Sequence, residues 1–97
     1  MKFLVLWRIE LSLLSREMAN AVARMAEYAA PLERSGKVVC RYHLVGEHGG
    51  AWIYAVDSNE ELERLLGAAP VYNFARYEIH PLAEMTGAPT SPPNSTE

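Results

Sequence analysis

Ninety-seven residues, 49% hydrophobic and 22% charged, describe one globular domain whose thin core would gain from self-association. A net charge of −3, a pI near 5.6 and nine scattered Lys and Arg residues exclude a nucleic-acid binder, which needs a concentrated basic footprint. Cys40 is the only cysteine, which excludes an intramolecular disulfide and argues against a thiolate zinc site; set in an apolar strand, it is expected to be a buried, inert thiol.

The chain opens on a predicted strand, about Lys2 to Leu11, with Phe3, Val5, Trp7 and Ile9 on one face. Leu4, Leu6, Arg8 and Glu10 occupy the other, so its first half should be buried on both sides. The apolar start, Met1 to Trp7, is too short for a signal peptide or a membrane span, and a cytoplasmic protein with no membrane partner is expected.

A helix is predicted from an N-cap at Ser15, with Glu17 early to suit the dipole. At 100° per residue Met18, Ala21, Val22, Ala29 and Leu32 fall within about 60° of Met25, one continuous core stripe, and Glu27 points the opposite way. Pro31 should kink the last turn, and Ser35-Gly36 should stop it.

Strand two, Val38 to Val45, alternates Val38, Cys40, Tyr42 and Leu44 against Val39, Arg41, His43 and Val45. A Gly-rich turn, Gly46-Glu47-His48-Gly49-Gly50, leads into strand three, Trp52 to Val56. Strand three sets large Trp52 and Tyr54 against small Ala51 and Ala55. A second helix, Ser58 to Leu66, opens on the capping box Ser58-x-x-Glu61, carries the ridge Leu62, Leu65, Leu66, and has Gly67 as its C′ residue. The last strand, about Phe74 to His80, places Tyr77 and Ile79 opposite Arg76, Glu78 and His80.

The order β-α-β-β-α-β predicts an α+β, ferredoxin-like, antiparallel four-stranded sheet over residues 1–85, its helices on one face. The bare face would then pair with a second copy, giving a dimeric α+β barrel, a homodimer or higher homo-oligomer. Residues 86–97, with three prolines and almost no apolar side chains, are expected to form a flexible tail.

From about Glu27 to Leu82 the chain resembles the muconolactone delta-isomerase family. The resemblance rests on Leu32-x-x-x-Gly36, Gly46, Val56-x-Ser58-x-x-x-Leu62, Leu66-x-x-x-Pro70 and Glu78-Ile79-x-x-Leu82, with weaker support from the opening Met-x-Phe-Leu-Val. It implies small α+β barrels in higher oligomers, and proton transfer on a lactone ring without cofactor or metal. Where that family typically has a Glu on the first helix, this chain has Met25, at the centre of the sheet-facing stripe. Other polar positions of the family are replaced here by Tyr42-His43, His48-Gly49-Gly50 and Glu63.

The candidate site follows from side-chain chemistry. Trp7, Met25, Tyr28, Tyr42, Trp52, Tyr54, Tyr72 and Phe74 would line a pocket for a flat, hydrophobic ring compound, although an aromatic core explains any one of them alone. His43 is the candidate acid/base, and Tyr28, Tyr42 or Tyr54 would hydrogen-bond a carbonyl or enolate oxygen. His48 in the glycine turn and Arg41 are candidate substrate-binding residues; Arg41 would hold a carboxylate, or instead pair with Glu78 or Glu10 across the sheet. His80, before Pro81, is expected to be structural. No two histidines stand at close metal-ligand spacing, so no metal site and no cofactor are predicted. An isomerase or cyclase leads; a cofactorless monooxygenase and a non-catalytic ligand-binding or assembly protein are the alternatives.

Overall fold

The computed structural model describes residues 1–85; the expected tail lies outside the described residues. Strand β1 (Lys2–Ile9) is followed by helices α1 (Arg16–Ala23) and α2 (Met25–Arg34), strands β2 (Val38–His43) and β3 (Gly49–Ala55), helix α3 (Asn59–Gly67) and strand β4 (Ala75–Leu82). The strands form one sheet in the order β2-β3-β1-β4, and every neighbouring pair is antiparallel. This is the expected ferredoxin-like α+β arrangement. The sheet order places β1 and β3 centrally, so their alternate residues form the middle of the core.

One face of the sheet is buried. Phe3, Val5 and Trp7 of β1 pair with Tyr54, Trp52 and Gly50 of β3, and Val5 and Trp7 also pair with Ile79 and Tyr77 of β4. Over this layer lie Met18 and Ala21 of α1, Met25 and Ala29 of α2, and Leu62 and Leu66 of α3, all buried. Full burial of side chains such as Leu62 and Leu66 stabilises the fold by about 1.5–3 kcal/mol each.

The first helix is interrupted at Arg24, and Pro31 lies inside helix α2. The Arg24 N–H divides between the carbonyls of Asn20 and Ala21, both at 3.2 Å, a tightening that separates α1 from α2. The break turns Val22 out of the predicted stripe to 40% exposure, while Met18, Ala21, Met25 and Ala29 stay buried. Ser15 Oγ accepts the Met18 N–H at 3.1 Å as the predicted N-cap. Helix α2 ends as the sequence suggests: Gly36 has φ of +80°, the Lys37 N–H reaches the Leu32 carbonyl at 2.8 Å, and the Gly36 N–H reaches that of Glu33 at 3.2 Å.

Strand β2 departs from simple alternation. A bulge between Val38 and Cys40 lets Val38 face Tyr54 and Arg41 face Trp52 on the helix side, while Cys40 and Tyr42 face Ile53 and Ala51 on the open side. Cys40 is therefore half-buried on the open face instead of inert in the core. Strand β2 stops at His43, and Val45 stands 98% exposed in the turn. Gly49 and Gly50, expected in that turn, instead begin β3. A Cβ on Gly49 would collide with the carbonyl oxygen of Trp7, so the glycine serves close strand approach rather than chain reversal.

Helix α3 has both halves of its N-terminal box. Ser58 Oγ accepts the Glu61 N–H at 3.1 Å, and Glu61 Oε1 accepts the Asp57 N–H at 2.7 Å. Gly67 is not the C′ residue: it closes the helix, and Ala68 caps it in a right-handed conformation. The Ala69 N–H bonds the Leu66 carbonyl at 3.1 Å, so the helix tightens to bury Ala69.

The Asp57 N–H, followed by Lys37 at 2.8 Å, holds the Glu61 carboxyl below the ordinary carboxylate range. A depressed folded-state value stabilises the fold above the unfolded value, and the contribution is lost as pH falls through the folded one. Urea midpoints measured between pH 7 and pH 3 should therefore fall for the wild type and fall less for Glu61→Gln. Parallel curves for the two proteins would overturn this assignment.

Candidate active site

Beneath α1 and α2, at the β2 end of the sheet, two open hollows of about 400 and 520 Å³ meet, sharing Trp7, Val22 and His43 as walls. They are parts of one cleft. The first is floored by Met25, Gly50 and Trp52 and edged by Arg41 and Glu33. The second extends to Met18, Leu11, Leu14, Glu47 and His48. The bulge in β2 creates this gathering, because it turns Arg41 and His43 to the same face as Trp52 and Gly50.

Trp7 and Trp52 meet edge-to-face, with ring centroids 6.2 Å apart. Both indole nitrogens lie within 2.8 Å of the point a Cβ on Gly50 would occupy. Glycine is the residue that admits this packing. Trp7 Nε1 is buried and, among the described residues, has no hydrogen-bond partner. The Arg41 guanidinium sits 5.3 Å from the centre of the Trp52 ring. It donates to Glu33, with Nε to Oε2 at 2.9 Å and Nη2 to Oε1 at 3.5 Å, and not to Glu78 or Glu10. Those two carboxylates are taken up on the open face, Glu78 by Arg8 and His80, and Glu10 by Arg76.

Of the residues selected from sequence, the structure brings together Trp7, Met25, Arg41, Tyr42, His43, His48 and Trp52. Tyr28 and Tyr54 lie behind them. The Tyr28 hydroxyl donates to the Leu65 carbonyl at 2.6 Å, so at 3.1 Å the Tyr54 hydroxyl must be the donor to Tyr28. Burial raises the Tyr28 hydroxyl above its ordinary range and raises that of Tyr54 much further, so both remain protonated donors at neutral pH. Tyr42 is paired with Ala51 and is 67% exposed, and it borders the first hollow at its rim. Tyr72 belongs to a separate apolar groove with Phe3, Leu62, Leu66, Tyr77 and Ile79, and Phe74 packs against the core nearby. Val22, Gly50 and Glu33 are cleft residues that sequence reasoning passed over. The doubled glycine was the available signal for Gly50; nothing local marked Val22, which the Arg24 break exposes.

Among the described residues no three His, Cys, Asp or Glu side chains gather as a metal site, and no helix is long and apolar enough to cross a membrane. The arrangement defines a small ferredoxin-like protein whose aromatic cleft carries two histidines, His43 and His48, in its walls and one arginine at its edge. Comparison with known proteins narrows this further: the profile of the muconolactone delta-isomerase family matches residues 1–87, and the chain belongs to that family. Muconolactone Delta-isomerase 1 of Acinetobacter lwoffii is 36% identical over 67 residues, covering 68% of this chain and 70% of the relative. The Muconolactone Delta-isomerase of Cupriavidus pinatubonensis is 36% identical over 62 residues, 64% of this chain and 67% of the relative. A crystal structure of muconolactone isomerase superposes with a TM-score of 0.79 at 21% identity, covering 95% of this chain and 98% of that one. A 5-chloro-2-hydroxyhydroquinone dehydrochlorinase from Burkholderia phenoliruptrix, in complex with 2,5-dihydroxybenzoquinone, gives 0.61 at 16% identity over 88% and 96% of the two chains. At these identities the structural likeness speaks for the fold.

Met25, 5% exposed, sets the polarity of the cleft floor. Replacing it with Glu would bury a carboxyl in an apolar floor, raising its pKa and destabilising the fold as pH rises. Met25→Glu should lose about 2–4 kcal/mol at pH 7 and recover part of it at pH 5, read from urea unfolding. Equal losses at both pH values would show that this side chain is not enclosed.

Proposed function

We propose that this protein is a cofactor-independent isomerase that moves a proton on a hydrophobic ring compound, with His43 as the proton carrier. The observation that supports it best is the meeting of His43 with the Trp7–Trp52 wall in one cleft, in a chain whose relatives are named delta-isomerases. Migration of a double bond conjugated to a ring carbonyl removes a proton from the carbon at the far end of the conjugated system and sends the electron pair through the double bond onto the carbonyl oxygen. The same proton carrier then delivers a proton to the carbon beside the carbonyl, and the carbonyl reforms. Atoms and electrons balance without an oxidant. An imidazole suits this exchange because its ordinary pKa lies near neutrality.

Among the described residues no side chain ties down the His43 imidazole, which leaves it free to face a substrate in either hollow. Arg41, pre-oriented by Glu33, stands at the edge where a substrate carboxylate or ring oxygen would enter. With Met25 in place of a carboxylate, the floor favours an apolar ring face. Tyr28 and Tyr54, occupied with each other and with Leu65, hold the wall that carries Trp52 and transfer no proton in this scheme.

The test is incubation in D₂O with muconolactone and with simpler enolisable butenolides, followed by mass spectrometry. Deuterium should enter the ring carbon beside the carbonyl, and His43→Gln should slow uptake by about 100-fold or more. Uptake no faster than buffer alone would leave a ligand-binding protein. Oxygen consumption with an electron-rich phenol would instead indicate a monooxygenase.

The same reading includes self-association, in the cytoplasm, through the open face of the sheet. Leu4, Leu6, Ala51, Ile53 and Ala55 are half-buried there, edged by the ion pairs Arg8–Glu47 at 2.6 Å and Arg76–Glu10 at 2.6 Å. An apolar centre with a charged rim is the pattern of a protein interface, and a second copy supplies the same pattern. Light scattering should report a dimer or larger species for the wild type and a smaller one for Leu6→Glu; a monomeric wild type would refute this.

A further inference from the structure

Two of the chain's three histidines flank the turn between β2 and β3, and both line the second hollow. His43 pairs with Gly50 across the hairpin, and His48 stands two residues before Gly50. Period two therefore puts His48 on the face of Gly50 and diagonally across from His43, with about 7–8 Å between their backbones. The turn holds His48 in place although it lies outside the strand. Its carbonyl accepts the Ile9 N–H at 2.8 Å, the Leu44 N–H reaches the Gly49 carbonyl at 3.2 Å, and the Glu47 N–H reaches that of Leu44 at 3.0 Å. Gly46, with φ of +82°, supplies the left-handed residue in this reversal. Both imidazoles are exposed, so a ligand can reach either one.

The other polar side chains lining this hollow are committed elsewhere. Glu47 accepts from Arg8 Nε at 2.6 Å, and the Trp7 N–H is enclosed by packing. In the adjoining hollow Arg41 is turned to Glu33. Among the described residues neither imidazole has a side-chain partner, whereas that of His80 is held by Glu78 at 2.6 Å. Forming an enolate puts charge on the carbonyl oxygen, and a site lined by Ile9, Leu11, Leu14, Met18 and Val22 stabilises that charge only where a donor is ready. One imidazole cannot be both the base at a ring carbon and the donor at the oxygen.

We infer that His48 is a second catalytic residue, the hydrogen-bond donor that holds the carbonyl oxygen of the ring while His43 moves the proton. This assignment rests on the isomerase reading and deepens it. The proton at the far end of the conjugated system passes to His43, and the electron pair runs onto the oxygen, which then accepts a stronger hydrogen bond from His48. When His43 returns a proton to the carbon beside the carbonyl, the electron pair goes back and that hydrogen bond weakens. His48 keeps its own proton throughout. The ring's polar end faces the turn, and its hydrocarbon side faces Val22, Met18 and Trp7. The ligand class is a single conjugated ring carbonyl, small enough for two diagonal imidazoles to meet its oxygen and its ionising carbon.

The test compares His48→Leu, which removes the donor, with His48→Gln, which keeps an N–H donor but carries no proton at neutral pH. Both changes fall on an exposed turn residue, so urea midpoints should match the wild type. With an enolisable butenolide in D₂O, His48→Leu should lower kcat for deuterium uptake about 100-fold and change KM little, because the oxygen is charged only in the transition state. His48→Gln should recover about tenfold of that loss. A titration with 4-nitrophenol, at a pH above its ionisation, reads the donor without turnover. The phenolate should bind the wild type about tenfold more tightly than His48→Leu, while 4-nitrotoluene, its uncharged counterpart, binds both equally.

Exchange that depends on His43 but is unmoved by His48→Leu removes His48 from the mechanism and leaves the isomerase standing. Phenolate binding that His48→Leu leaves intact also overturns the assignment. A His48→Gln protein as slow as His48→Leu would make this imidazole a proton carrier and overturn its role as donor. Phenolate binding that needs His48, in a protein that exchanges no deuterium, removes the isomerase alone and leaves His48 as an oxyanion-binding residue.

Discussion

The close packing of Trp7 and Trp52 against Gly50 is the contact on which the rest of this structure depends. Two large rings from adjacent central strands can share that space because the residue between them has no side chain beyond a hydrogen. Just before it, Gly49 lets the Trp7 backbone approach more closely than any Cβ would permit. The consequence is twofold. The rings complete the core beside Met25 and also line the cleft from the same positions. Stability and site geometry therefore share atoms, and a substitution at Gly50 would disturb both.

The sheet divides labour between its faces. The helix-covered side is apolar, with no buried polar or charged residue among the described core, and it carries the cleft at one end. The open side sets half-buried aliphatic residues inside a fringe of ion pairs. Exposed pairs of this kind contribute little to stability, typically under 1 kcal/mol each. The bulge in β2 links the two faces: one extra residue moves Arg41 and His43 from the side that strict alternation assigns alongside Val39 to the side where Trp52 waits.

The hydroxyl chain from Tyr54 through Tyr28 to the Leu65 carbonyl ties α2, β3 and α3 together behind the cleft. Burial raises both phenols above their ordinary ionisation range, Tyr54 the more strongly, so they are suited to rigid donation and poorly suited to accepting protons. The polar side chains that border the cleft include the imidazoles of His43 and His48 and the Arg41 guanidinium paired with Glu33. A cleft of that kind admits charge only where a donor meets it, and it prefers a substrate that is mostly hydrocarbon.

How much of this was legible beforehand varies with the range of the interaction involved. Local chemistry determined the helix starts at Ser15 and Ser58, the stop at Gly36 and the strand order that implied a ferredoxin-like sheet, because caps and period-two patterning act over a few residues. The resemblance at Leu32-x-x-x-Gly36 and Leu66-x-x-x-Pro70 pointed to the family for the same reason. Tertiary structure decided the break at Arg24, the bulge at Val39, and the use of Gly49 and Gly50 for close approach in place of a turn. Each depends on what another element presses against that position, and no run of neighbouring residues encodes it. The sorting of aromatics likewise had to wait: Trp7 and Trp52 meet across a strand pair some forty-five residues apart in sequence, while Tyr72, equally aromatic, is carried to a separate groove.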